Sequence, residues 1–236
     1  MSKKRRWILA QSYEKDWWEK RIDLIDFDFH YNHANDLKQF ILPHFRIKEN
    51  IKILEIGSGA GGTITFLSES NNRFAADPLE KFYSSVEKFR KQRDKNVDYQ
   101  AAIGEYLSFK NDFFDLIIID NVLDHCADPS KVMQELKRVS KPESFIYFRQ
   151  NTYHIWGRFI RAIMEFFTID KGHPFTFSKN QIFELIKDYE FEIIKNSSSG
   201  YVKIWKREFF SSSLKDKIKS FILVTRNSRT FLLKNR

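Results

Sequence analysis

Ile51-Lys52-Ile53-Leu54-Glu55-Ile56, followed by Gly57-Ser58-Gly59-Ala60-Gly61-Gly62, is the stretch on which the fold turns. A β-branched run that ends at a glycine cluster reads as a buried first strand entering a tight turn. Glycines let the backbone bend sharply and approach a ligand without a Cβ in the way, and the N-terminus of a following helix offers free N–H groups. Gly57, Gly59 and Gly62 also satisfy the G-x-G-x-x-G spacing of dinucleotide-binding loops. A nicotinamide or flavin enzyme is therefore one reading, and a glycine turn with no ligand is the bland one.

On the N-terminal side, Trp7 to Phe45 has helix-like spacing of Trp17, Trp18, Ile22 and Ile25 and ends near Pro43, which predicts one or two helices. On the C-terminal side, strand and helix alternate. Thr63 to Ser70 is expected to be helical, Arg73 to Asp77 a strand, Leu79 to Arg90 a helix, Val97 to Ala101 a strand and Phe114 to Asp120 another. Asp128 or Ser130 caps a helix to about Val139, and Ser144 to Arg149 is the next strand. Such alternation implies a parallel sheet with right-handed crossovers. Tyr153 to Phe177 breaks the pattern and reads as an insertion, helical over Ile155 to Phe167 and looped at Asp170 to Pro174. Ser178 caps a helix to about Ile186. Phe191 to Lys195 and Tyr201 to Glu208 are then expected to form an antiparallel hairpin across Asn196 to Gly200.

Asp77 ends the second strand, 20 residues past Gly57, where a carboxylate accepts hydrogen bonds from both hydroxyls of a ribose. It equally suits the N-cap of the next helix ahead of Pro78.

Ile53 to Gly61 resembles motif I of class I S-adenosylmethionine-dependent methyltransferases, of the methyltransferase type 11 kind. Phe113 to His125 resembles the fourth-strand motif of the same family. Asp128-Pro129, Glu135 to Val139 and Lys141-Pro142 resemble the helix and turn leading to its fifth strand. These blocks run in order from Ile51 to Arg149. One departure is Glu143-Ser144, where the family often has two glycines.

The resemblance implies an α/β, Rossmann-like fold: a seven-stranded, mostly parallel sheet with flanking helices, an N-terminal helical cap and a helical insertion before a C-terminal hairpin. It divides the chain into one domain over 1–210 (cap 7–48, cofactor-binding core 51–149, acceptor-side insertion 150–180) and a basic amphipathic tail over 211–236. It implies S-adenosyl-L-methionine as cofactor. Glu55 with Gly57, Gly59 and Gly61 would lie near its methionine part, Asp77 would hold the ribose, and Gly104-Glu105-Tyr106 would approach the adenine. Asp120 and Asn121 would close the pocket. Glu105 has an ordinary surface carboxylate as its alternative.

Methyl transfer needs alignment more than acid–base help, but a hydroxyl acceptor benefits from a base. His125, after the fourth strand, is the candidate. His173 is the weaker alternative, with Tyr153 and His154 beside the same insertion as positioning or local hydrogen-bonding residues. No spacing of Asp120, Asp124 and His125 compels a metal, and none is expected.

The net charge of +9 resides in the termini: four charges at Lys3 to Arg6 and a net six from Leu214 to Arg236, leaving about −1 for the body. The body therefore need not bind nucleic acid. RNA methylation, a nicotinamide-dependent oxidoreductase and a non-catalytic S-adenosylmethionine-binding interaction module stand as rivals to methylation, expected at oxygen, of a small-molecule or glycan acceptor. Leu214, Ile218, Phe221 and Ile222 follow helical spacing among lysines, so the tail is a candidate for peripheral membrane contact or for docking on protein. One cysteine, and no apolar run near the ~18 residues of a membrane span, point to a cytoplasmic protein that reaches at most the inner membrane face.

Overall fold

The computed structural model describes residues 2–25 and 27–236. Seven strands form one sheet in the order β3-β2-β1-β4-β5-β7-β6. They are β1 (Lys52–Ile56), β2 (Asn72–Asp77), β3 (Val97–Ala101), β4 (Phe114–Asp120), β5 (Ser140–Tyr153), β6 (Phe191–Ser198) and β7 (Arg226–Asn235). Strands β1 to β5 pair in parallel, and β7 runs antiparallel between β5 and β6. An all-parallel dinucleotide-binding sheet lacks this inserted strand.

The central strands read as continuous apolar runs because both faces are covered. On one face Leu54, Ile56, Ile117 and Ile119 meet Val132, Met133 and Leu136 of α5 (Pro129–Val139) and Ile182 and Ile186 of α7 (Lys179–Asp188). On the other, Ile53, Leu116 and Ile118 meet Ala34, Leu37 and Ile41 of α2 (Asp28–Ile41). The pairing of Ile56 with Ala76 and with Ile119 brings Gly57, Asp77 and Asp120 to one edge. The remaining helices are α1 (Lys3–Glu19), α3 (Glu80–Ser85), α4 (Glu87–Gln92), α6 (Ile155–Phe166), α8 (Tyr201–Phe209) and α9 (Leu214–Phe221). Asp128 caps α5, and Ser178 with Gln181 forms a capping box on α7.

Four expectations need correction. Thr63 to Ser70 is not a helix but a single 3-10 turn, Thr63–Phe66, held by the Glu55 carboxylate and stopped at Leu67, whose φ −100° and ψ 48° are not helical. Leu79 to Arg90 is two helices, because Val86 is extended between α3 and α4. Tyr201 to Glu208 is helix α8, not a strand: Glu208 is buried against Thr225 Oγ1 and the Trp205 indole donates to Ser220 O. The hairpin partner of β6 is β7, from the segment expected to be an appended tail; Phe231, Leu232 and Leu233 are buried between two strands. Where the family's glycines are missing, Glu143 itself takes φ 65° beside a bulge in the β4–β5 pairing.

Candidate functional site

The glycine turn is fastened at both ends by carboxylates from neighbouring strands. Glu55 Oε1 and Oε2 accept from the amides of Thr63 (3.1 Å) and Ile64 (2.8 Å). Asp77 Oδ2 accepts from Gly59 N at 2.9 Å and Oδ1 from Leu79 N at 2.8 Å. Asp77 thus closes the turn after β2 and lines the cavity beside the glycine turn, but it is not the N-cap of α3 that its structural reading expected: that position is Leu79, which has no side-chain cap. Arg93, at the end of α4, donates to Ala60 O and Gly59 O and pairs with Glu80.

Burial pushes the Glu55 carboxyl up to about 8 and the Asp77 carboxyl up to about 6, each partly offset by its two amide donors. At Asp120 burial pushes upward too, but His33 Nε2 at 2.7 Å and Arg149 Nε at 2.6 Å hold the carboxyl below its usual range.

Gly62 has φ 67°, and a Cβ there would lie 2.3 Å from Glu55 Oε2. Gly62→Ala is therefore expected to cost about 2–4 kcal/mol, from backbone strain and from displacing a buried carboxylate from its amides. At Gly61 φ is not positive and the nearest atom, Phe27 Cε1, is 3.5 Å away, so Gly61→Ala should be near neutral. Paired urea melts check the contrast, and equal midpoints for the two variants would refute it.

A cavity of about 280 Å³ runs along the turn, past Asp77 and Gly104 to Asn121 and His125. Helix α1 closes it with Gln11, Glu14 and Trp18; the Trp18 ring covers Gly59. Ser58 Oγ and Gln11 Oε1 are buried in this wall without a hydrogen-bond partner among the described residues, as polar atoms meant for a ligand would be. Their chemistry suits the polar groups of a nucleoside carrying an amino acid.

Seven of the expected cofactor residues line this cavity: Glu55, Gly57, Gly59, Asp77, Glu105, Asp120 and Asn121. Gly61 does not; its carbonyl accepts from Thr65 Oγ1, and Gly62 lines the wall in its place. Glu105 does line it, yet its Oε1 accepts from Ala127 N and Asp128 N, so the carboxylate is engaged in shaping the loop after β4. Tyr106 points outward, 62% exposed, over Lys131. Asn121, at φ 55°, uses its Oδ1 to hold Gln150 and Asn151 at the end of β5. Trp18, Gln11 and His33 were not anticipated; the Trp17-Trp18 pair in a charged helix was the one available signal.

A second cavity of about 500 Å³ lies between α1, α6 and α9, with Tyr13, Tyr153, Arg161, His173 and Ile218 in its walls. His125 faces the first cavity and His173 the second, and their ring centroids are 4.5 Å apart. Asp170 Oδ1 lies 2.9 Å from His173 Nδ1, and Asp170 Oδ2 pairs with Arg161. Although burial pushes it upward, His173 and Arg161 hold the Asp170 carboxyl well below the carboxylate range. Asp170 thus occupies Nδ1 of the His173 ring, and Nε2 is the nitrogen left for another partner. Arg6 of α1 clasps Glu165 and the carbonyls of Asp170 and Lys171, so the cap and the insertion are fastened together over this pair. His154 lies outside both cavities, exposed beside Tyr201. Asp124 joins His125 and His173 with donor atoms within 4.8 Å, but its Oδ1 already accepts from Gln150 Nε2 at 2.9 Å.

Residues 54–148 match the family model for a methyltransferase domain. The chain is 29% identical over 116 residues to a ubiquinone biosynthesis O-methyltransferase of Bartonella quintana (strain Toulouse), covering 46% of this chain and 45% of that one. It is 29% identical over 126 residues to the ubiquinone/menaquinone biosynthesis C-methyltransferase UbiE of Pectobacterium atrosepticum, covering 51% and 49%. The alignments thus span less than half the length of these curated relatives. Geranyl diphosphate C-methyltransferase from Streptomyces coelicolor A3(2), solved with Mg2+, geranyl diphosphate and S-adenosyl-L-homocysteine, superposes with a TM-score of 0.67 at 12% identity, over 93% of this chain and 84% of that one. At that identity the likeness is one of fold. The domain match, the sheet order and the fastened glycine turn agree: residues 54–148 are similar to a methyltransferase domain, and the chain has the Rossmann-like fold of S-adenosylmethionine-dependent methyltransferases, which implies S-adenosylmethionine as the cofactor.

Proposed function

We propose that this chain transfers the methyl group of S-adenosylmethionine to an oxygen of a small-molecule or glycan acceptor held between α1, α6 and α9. The observation that carries the reading is the His125–His173 pair at the boundary of the two cavities, with Asp170 behind it. Bound in the first cavity, S-adenosylmethionine supplies an electrophilic methyl carbon on a sulfonium.

In this reading Asp77 accepts the ribose hydroxyls, and Glu55 and the glycine turn hold the methionine end. Ser58 and Gln11 satisfy its polar groups, and Gly104 leaves room for the base. Trp18 and the fastened cap exclude water, and most of the rate then comes from alignment of the acceptor. His125 takes the acceptor proton as the new bond forms, and His173 positions it. The exposed apolar face of α9 adds peripheral membrane contact to the same reading.

Calorimetric titration with S-adenosylmethionine, S-adenosylhomocysteine and NAD, followed by labelled-methyl transfer to phenols and saccharides, tests it. Donor binding and label on an acceptor oxygen are expected. Binding of NAD alone would sink the proposal, and donor binding without transfer across the panel would favour an interaction module.

A further inference from the structure

Of the 22 large hydrophobic side chains that stand exposed among the described residues, 15 fall between Ile155 and Leu223. They belong to α6, α8, α9 and the turns beside them, and these helices are one unit. The Tyr201 hydroxyl donates to Leu223 O, the Trp205 indole donates to Ser220 O, and Gly157 of α6 sits against Leu223 O. All three helices leave the sheet at one end, since α6 follows β5, α8 follows β6 and α9 precedes the antiparallel β7. That is also the end where Gly57, Asp77 and Asp120 meet.

Phe166, Phe210 and Phe221, at 82%, 80% and 84% exposure, are more open than an ordinary surface would leave one aromatic ring, let alone three. The same helices carry exposed Lys203, Lys206, Arg207 and Lys217, none of which is in an ion pair among the described residues. No helix of the described residues is long and apolar enough to cross a membrane. Aromatic rings set among unneutralised cations are the pattern of a surface that lies in a headgroup layer, where rings enter the acyl boundary and cations meet lipid phosphates.

We infer that the joint face of α6, α8 and α9 docks on an anionic lipid bilayer. The acceptor cavity shares this face: Ile169, Leu214 and Ile218 line it and are themselves exposed, so its mouth opens toward the lipid. Arg226, in the cavity wall and outside any ion pair among the described residues, offers a cation to an acidic or oxygen-bearing head group. Resting on the methyl-transfer reading, this makes the acceptor an amphiphile taken directly from the bilayer, with its head toward His173 and its apolar part trailing to the mouth.

The test is sedimentation of the whole chain with vesicles of phosphatidylcholine, alone or mixed in equal parts with phosphatidylglycerol. Binding to the mixed vesicles is expected to exceed binding to the neutral ones by at least about tenfold and to weaken with salt. Phe210→Ser with Phe221→Ser, and separately Lys203→Glu with Lys206→Glu, should each lower it at least about tenfold. These side chains lie outside the donor cavity, so S-adenosylhomocysteine affinity should be unchanged and certifies the fold. Absence of binding to mixed vesicles overturns the inference. So does a dimer in light scattering that the phenylalanine substitutions dissolve, since a second copy would then cover the face. Vesicle binding in a protein without transferase activity would leave the docking standing and remove only the assignment of the acceptor.

Discussion

Asp77→Asn is expected to weaken S-adenosylhomocysteine binding about 100-fold, or about 2.7 kcal/mol. Two ribose hydroxyls donating to a buried carboxylate form charge-assisted bonds of about 1.5–3 kcal/mol each, and the amide keeps one acceptor oxygen while turning a donor toward the other hydroxyl. Asparagine retains an acceptor for either Gly59 N or Leu79 N, so the turn survives better than with alanine. The pH dependence carries the sign. With the Asp77 carboxyl at about 6 in the free protein and binding favouring the ionised form, affinity should rise as pH climbs through 6. In Asp77→Asn that limb should vanish, while any limb near 8 from Glu55 remains. Calorimetry between pH 5 and about 8.5 decides this; an unaltered profile in the variant would show that Asp77 only caps the turn.

The cofactor half was legible because its information is local. A strand, a glycine turn and an acidic residue one strand further on lie within Ile51 to Asp77, and β-strand register carries that local order into space. What local pattern misjudged was pairing with distant partners. Tyr201 to Glu208 alternates like a strand, yet Trp205 and Glu208 are held by Ser220 and Thr225, so tertiary contacts decide for a helix. Arg226 to Asn235 looked like a charged tail because its five outer residues are polar. Phe231 to Leu233 supply the buried centre only once β5 and β6 flank them. The donor-site roof was hidden for the same reason: Trp18 meets Gly59, and His33 meets Asp120, across 41 and 87 positions of sequence. His173 gained its partner, Asp170, only three residues away, but its neighbour His125 lies on a different loop.

The acceptor half makes the larger kinetic claim. His125→Ala is expected to lower kcat by about 100- to 1000-fold, the range of a lost general base, with donor affinity changed less than about twofold. His173→Ala and Asp170→Asn should each lower kcat as well, because His173 Nε2 is aimed by the Asp170 contact at Nδ1 and the two rings adjoin. If the pair acts as a unit, the double variant His125→Ala with His173→Ala will lose little more than the worse single variant; independent roles would instead multiply. Chelation separates the one competing use of these side chains. Asp124, His125 and His173 are close enough to share a divalent ion, and a metal-dependent reaction would collapse in EDTA. A rate that survives EDTA but not His125→Ala assigns the pair to proton transfer, whereas an EDTA-sensitive rate restored by a divalent ion assigns it to coordination.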